Sequence, residues 1–207
     1  MKVYFSPASP FVRKVMVCAH ELGVADQIEQ LPCAANPINR DKTIVAANPL
    51  GQVPTFFADD GTILFDSRTI CEYVDAHGGG QLFPPGEARW RALRDQSLGD
   101  GLLDAALLAR YETVVRPGAL QWQAWLDGQL EKVTSCLDVI EADAAGYGDR
   151  VDIGAITVGC ALGYLDFRFP HLPWRAGRPQ AAKWFARFSE RPSMRATAPF
   201  DAGVPKR

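Results

Sequence analysis

Val3 Tyr4 Phe5 Ser6 Pro7 Ala8 Ser9 Pro10 Phe11 Val12 Arg13 Lys14 is the stretch on which the reading of this chain turns. Its first three residues are apolar and read as a short strand, and the remainder runs through a Ser-Pro turn straight into a helix. Ser9 is a preferred helix N-cap and Pro10 a preferred first helical residue. The Ser9 hydroxyl is therefore expected where unpaired backbone donors and the positive end of the helix dipole converge. An anion placed there is stabilised. Beyond the junction, Val12, Val15, Met16, Ala19 and Leu22 recur at helical spacing, and Gly23 supplies a stop.

Farther along the chain, Ile28 to Leu31 reads as a second strand, followed by a polar stretch with room for a brief helix before Asn48. Val53 to Phe57 and Thr62 to Phe65 read as two strands joined by an Asp-Gly hairpin turn at Asp59, Asp60 and Gly61. Pro54 cannot donate to a ladder, which places it at the start or edge of its strand. Asp66 and Ser67 open a further helix with Ile70, Tyr73 and Val74 on its inner face. The glycines at 78–80 and Pro84, Pro85 and Gly86 are the strongest punctuation in the chain, and 78–86 is expected to be a linker. Strand signals end there. Residues 87–111, 119–145, 153–165 and 179–190 carry helical patterns, with Leu126, Leu130, Val133, Leu137 and Ile140 as core of the second and Ala182, Phe185 and Ala186 as the inner face of the last. The 153–165 stretch is almost wholly apolar, which marks a buried helix. The expected architecture is an α/β domain over 1–77 followed by an all-α domain over 87–207.

Composition narrows the function classes. Of 207 residues, 47% are hydrophobic and 22% charged, enough apolar material for a real core. A net charge of −2 with both signs interspersed gives no footprint for nucleic acid or an anionic membrane surface. No secretory signal and no membrane-spanning stretch is evident, so a cytoplasmic protein is the expectation. Cys18, Cys33, Cys71, Cys136 and Cys160 have no paired spacing, and the three histidines are scattered, so neither a disulfide framework nor a metal site is indicated.

Three places share one local character, the end of a strand or the start of a helix: Ser9, the Val53 Pro54 pair, and Asp66 with Ser67. A zwitterionic α-amino acid group needs an acceptor for its ammonium and donors for its carboxylate. Asp66 beside the Ser67 hydroxyl and helix N-terminal amides offers both. Val53, ahead of a proline that interrupts regular pairing, keeps its backbone N–H and C=O for a peptide ligand. A peptide with a free amino-acid end fits the set.

The same residues carry a family resemblance. The order β, α, β, α, β, β, α with a proline opening the third strand looks like a thioredoxin-type domain. Ser9 Pro10 Phe11 Val12 Arg13 resembles the active-site motif of serine-type glutathione transferases, especially the tau-like pattern. Asn48 Pro49 Leu50 Gly51 Gln52 Val53 Pro54 Thr55 is similar to the family's run into its third strand, Asp66 Ser67 to its γ-glutamyl site, and the helical half with Arg191 Pro192 Ser193 to its second domain. The resemblance implies glutathione as co-substrate, bound by Ser9, Arg40, Gln52, Val53, Pro54, Asp66 and Ser67, with no metal. It implies a cis bond before Pro54, so that Val53 pairs with the cysteinyl backbone, and Ser9 as the catalytic residue that favours thiolate over thiol. Arg40, assisted by Gln52, falls where the tau-like pattern approaches the glycyl carboxylate. A small hydrophobic electrophile held against the helical domain, detoxification chemistry and a homodimer are implied by the same likeness. The run Gly99 to Ala105 is expected to break the first long helix and leave space.

Several of these residues also have a plainer role open to them. Ser9, Asp66 and Ser67 can each serve only as helix caps, and Arg40 as a solvated surface charge. The rival functions are a non-catalytic glutathione-binding or regulatory protein and a specialised glutathione-dependent isomerase, lyase or dehalogenase. With no cysteine between residues 6 and 17, a thiol reductase is disfavoured. At Asp152 Ile153 Gly154 Ala155 the chain keeps a helix cap but lacks the reciprocal acid of a capping box.

Overall fold

A computed structural model describes residues 1–201. The chain divides into two units, one of Met1–Pro84 joined by the described part of the segment that starts at Pro192, the other Pro85–Arg191.

In the first unit, β1 (Lys2–Phe5) leads into α1 (Pro10–Glu21), then a 3-10 turn at Ala25–Gln27 and β2 (Glu29–Pro32). Next in the chain come α2 (Lys42–Ala47), β3 (Phe56–Phe57), β4 (Ile63–Leu64) and α3 (Ser67–His77). The four strands form one sheet in the order β2-β1-β3-β4, with β1 and β2 parallel and the other pairings antiparallel. Val3, Phe56, Val12, Val15, Ile70 and Val74 are fully buried, as the sequence periods require. Cys71 is buried beside Ile70, a small apolar residue that the helical pattern passed over, while Tyr73 is only half-buried. Regular pairing on the third strand starts at Phe56 rather than Val53. Pro54 has no N–H to give, so the ladder opens only beyond it.

The expected linker is more tightly held than its glycines imply. Asp75, 4% exposed near the end of α3, accepts backbone N–H groups from Gln81 (2.9 Å), Leu82 (2.7 Å) and Phe83 (3.3 Å). Leu82 and Phe83 are buried as a result.

In the second unit, α4 (Glu87–Val114), α5 (Gln123–Tyr147), α6 (Ile153–Arg168) and α7 (Pro179–Phe188) form the helical layer. Gly99 to Ala105 does not interrupt α4, which is continuous through it. A Cβ at Gly99 would stand 2.9 Å from Thr157 Cγ2 and 3.0 Å from the Thr157 carbonyl carbon, so this glycine admits the backbone of α6. The space expected for a substrate is taken by helix packing. In α5, Val133, Leu137 and Ile140 are buried, but Leu126 and Leu130 are not fully buried. The buried face of α7 is Ala181, Trp184, Phe185 and Phe188, displaced by one position from the expected Ala182 and Ala186, because the aromatic rings claim the interior. Asp152 caps α6 by accepting Ala155 N at 2.9 Å. The reciprocal acid is replaced by a clamp: Arg150 Nε donates to Asp152 Oδ2 at 2.8 Å while its Nη atoms donate to the fully buried Asp95 at 3.3 Å.

The last helix among the described residues, α8 (Pro192–Ala196), packs on α1 in the first unit, although the sequence reading places the whole of 87–207 with the helical half. Arg13 Nη2 donates to Met194 O at 3.0 Å, and the Ser193 hydroxyl donates to the Glu21 carboxylate. Both contacts join residues far apart in sequence, which no local pattern discloses.

Replacing Asp75 by Ala strands three backbone donors, each of which loses a charged acceptor. The expected outcome is a loss of at least about 2 kcal/mol in urea unfolding, with the circular-dichroism spectrum unchanged under native conditions.

Candidate functional site

Strand register brings the strand ends next to Ser9, Pro54 and Asp66 to one edge of the sheet. The β1–β3 register pairs Val3 with Phe56, and the next bond, Tyr4 N to Thr55 O at 2.9 Å, carries it on to set Phe5 across from Pro54. The β3–β4 register pairs Phe56 with Leu64, which continues to set Asp66 across from Pro54. β2 runs parallel to β1 with Phe5 opposite Pro32, so the chain toward Arg40 leaves from the same edge. The ends of β1, β2 and β4 and the start of β3 thus share one side, the place where open sheets with a parallel pair present ligand sites.

Ser9 caps α1: its backbone is extended (φ −82°, ψ 120°) and its Oγ accepts Val12 N at 3.3 Å. Ser9 N donates to Ser6 O at 3.0 Å, which closes the turn between strand and helix. A hydroxyl has two acceptor positions and one proton, so capping leaves the Ser9 proton for a further acceptor. Val12 N–H polarises that hydroxyl in the direction that strengthens its donation.

The Val53–Pro54 bond is cis, as the resemblance required. Among the described residues the Val53 backbone N–H and C=O have no hydrogen-bond partner, while polar groups around them are committed. Asn48, 1% exposed, does most of that holding. Its Nδ2 donates to Thr55 Oγ1 at 3.0 Å and Gln52 O at 3.3 Å, its Oδ1 accepts Leu50 N at 3.0 Å, and Thr55 Oγ1 donates to Gln52 O at 2.8 Å. In the sequence Asn48 stands out only as part of a motif; a polar side chain ahead of a turn was the one sign of its role.

Asp66 caps α3, with Oδ1 accepting Arg68 N at 2.9 Å and the second carboxylate oxygen without a partner among the described residues. Ser67, the first residue of α3, is 3% exposed. Capping and ligand capture are compatible here too, since a carboxylate has acceptor sites to spare.

Arg40 is exposed, and its Nη2 donates to Pro49 O. Its guanidinium lies over Gly51, where a Cβ would meet Nε at 3.0 Å and where φ is +65°, a conformation that suits glycine. Arg40 thereby braces the loop that leads to Gln52, itself exposed, and keeps further N–H donors for a ligand. Asp41 completes the frame: as N-cap of α2 it accepts Thr43 N at 2.9 Å and Thr43 Oγ1 at 2.5 Å, and its other oxygen accepts Ala34 N at 2.9 Å. These bonds, the Thr43 hydroxyl first, hold its carboxyl below the usual carboxylate range. Among the described residues, no group of His, Cys, Asp and Glu is placed to hold a metal ion, and no helix is long and apolar enough to cross a membrane.

The sequence model of the glutathione S-transferase N-terminal domain matches residues 8–77, and that of the glutathione S-transferase C-terminal domain matches residues 123–187. The chain belongs to the glutathione S-transferase family. It is 34% identical to the uncharacterized GST-like protein YibF of Escherichia coli, over 96% of this chain and 98% of that protein. A glutathione transferase family member from Pseudomonas fluorescens, solved with bound glutathione, is 44% identical and superposes with a TM-score of 0.94 over 97% of this chain and 99% of the other. A glutathione S-transferase from Methylobacillus flagellatus, also solved with glutathione, is 33% identical with a TM-score of 0.87, covering 96% and 99% of the two chains.

Asn48→Ala removes a fully committed buried amide, so urea unfolding is expected to show a loss of about 1–3 kcal/mol. Asp41 has a folded-state pKa below its unfolded value, so its stabilising contribution is present above the unfolded value and is lost as pH falls through the folded one. The stability difference between wild type and Asp41→Asn, measured by urea unfolding against pH, is expected to be constant at neutral pH and to shrink as the solution is acidified.

Proposed function

We propose that this protein is a glutathione transferase: it binds glutathione along the sheet edge of its first unit and presents the thiolate to a small hydrophobic electrophile. In this reading the unpartnered N–H and C=O of Val53 pair with the cysteinyl backbone, as a short added strand does. That open backbone pair, held by the committed Asn48 and Thr55 around it, is the observation that carries the proposal. The free oxygen of Asp66 accepts from the γ-glutamyl ammonium, and the Ser67 hydroxyl and the first-turn amides of α3 face its carboxylate. Arg40 and Gln52 serve the glycyl carboxylate, Arg40 through the donors it does not spend on Pro49.

Ser9 donates its free proton to the glutathione sulfur. A free thiol has a pKa of roughly 8.5, and a hydroxyl donor at a helix N-terminus lowers it, which raises the thiolate fraction at neutral pH. The thiolate attacks the electrophile, a carbon–sulfur bond forms, and the leaving group departs with the electron pair of the bond that breaks. A homodimer belongs to this reading by family likeness.

The Val12 N contact to Ser9 Oγ equally suits a protein in which Ser9 is a cap alone and glutathione is only bound. Two variants separate the roles. Ser9→Ala loses both the cap, at about 1 kcal/mol, and the donor. Ser9→Asp keeps a capping oxygen but sets a negative charge against the sulfur. Turnover of a chloronitroaromatic substrate with glutathione is expected to fall roughly 10- to 100-fold in kcat/KM in both variants, while only Ser9→Ala loses stability. The ultraviolet absorbance of bound thiolate is expected to titrate at higher pH in both. Unchanged turnover and titration in Ser9→Asp would assign Ser9 to capping alone. Tight glutathione binding with no turnover in wild type would favour the binding protein.

A further inference from the structure

Arg13 lies one turn of α1 beyond Ser9, and among the described residues it is the only one lining a cavity of the first unit that is both cationic and buried. The cavity has a volume of about 60 Å³. Its walls include Ser6 and Pro7 from the turn after β1, Gln30 from β2, His20 from the far end of α1, and Thr197 and Phe200 from the segment after α8. It shares none of Ser9, Val53, Pro54, Asp66 or Ser67, so it is separate from the proposed glutathione site.

The charge balance at Arg13 is unusual. The residue is 8% exposed, its Nη2 donates to Met194 O at 3.0 Å, and its Nε has no partner among the described residues. No carboxylate of the described residues forms an ion pair with it; Glu21, on the same helix, accepts from the Ser193 hydroxyl, and Glu29 pairs with Lys2 at 2.9 Å. Burying an unpaired charge costs several kcal/mol, and most buried groups escape by losing the charge. Arginine cannot, because its guanidinium stays protonated in proteins. A backbone carbonyl supplies a dipole, not a counter-charge. An anion from solution, seated in the cavity beside the cation, supplies the counter-charge that the described residues do not.

We propose that this cavity binds a small monovalent anion, of chloride or formate size, against the Arg13 guanidinium. The volume is well above the roughly 10–15 Å³ that one water needs, which admits such an ion. The Ser6 hydroxyl and the Gln30 amide supply additional donors around it, and the exposed His20, Gln30 and Phe200 make the cavity reachable from solvent. An anion there joins the turn that carries Ser9, the helix α1 and the segment after α8. Occupancy binds the folded state and not the unfolded one, so it stabilises by mass action.

The test is urea unfolding of the full chain in sodium chloride, sodium formate or sodium gluconate at equal ionic strength. In wild type the unfolding midpoint is expected to rise saturably with chloride and with formate above the gluconate baseline, gluconate being too bulky to reach a guanidinium that is 8% exposed. In Arg13→Met, which keeps an unbranched side chain and removes the charge, the three salts are expected to give one curve. Equal responses to all three salts in wild type, or a chloride response that survives in Arg13→Met, would overturn the proposal. Should Arg13→Met not fold, a wild-type crystal soaked in sodium bromide decides the matter. An anomalous peak beside the guanidinium supports the site, and its absence at saturating bromide refutes it.

Discussion

The first unit takes its geometry from the pairing of β1 with β3. One hydrogen bond beyond the two-residue ladder, Tyr4 N to Thr55 O at 2.9 Å, fixes how far the third strand runs along the first. Shift that register by a residue and Pro54 no longer faces the end of β1, while every core side chain of β3 turns to the wrong side. With the register as it is, Ser9, Val53 and Asp66 arrive at one edge without any contact between their side chains being needed. The candidate site is a property of the strand ends, and its residues are placed by backbone.

That edge stays open through a division of labour among polar groups. Asn48 and Thr55 satisfy each other and the Gln52 carbonyl, Arg40 satisfies Pro49, and Asp41 satisfies Ala34 and Thr43. Once those bonds are made, Val53 is left with a donor and an acceptor and no partner among the described residues. Val53 is half-buried, so its open donor and acceptor at the end of the sheet have the geometry that an added strand uses. Ser9 and Asp66 show the same economy, each giving one atom to a helix end and keeping another hydrogen-bonding position free.

The legible parts of the sequence were those governed by local chemistry. Ser9 with Pro10, Asp66 with Ser67, the Asp-Gly turn and the periods of α1 and α3 are short-range signals; both helices start where they placed them, and the hairpin forms with strands shorter than expected. Less was legible where distant groups decide. The stretch 33–41 has no period because side chains hold it: Asn36 Oδ1 accepts Ile38 N and Asn39 N, and Asp41 reaches back to Ala34. The tether of the linker to Asp75, the packing of α8 on α1 and the burial of Arg13 all join residues that the sequence sets apart. In α4, a glycine that read as part of a helix break is instead where a second helix approaches, a distinction that only the neighbour settles.

The functional reading stands or falls on whether the open backbone at Val53 and the free proton of Ser9 face the same molecule. A crystal structure of the protein with glutathione decides this. The cysteinyl N–H and C=O are expected to be bonded to Val53, with the sulfur within about 3.5 Å of Ser9 Oγ, the outer range for a sulfur contact. Glutathione bound with its sulfur turned away from Ser9, or with Val53 left unpaired, would rule that reading out.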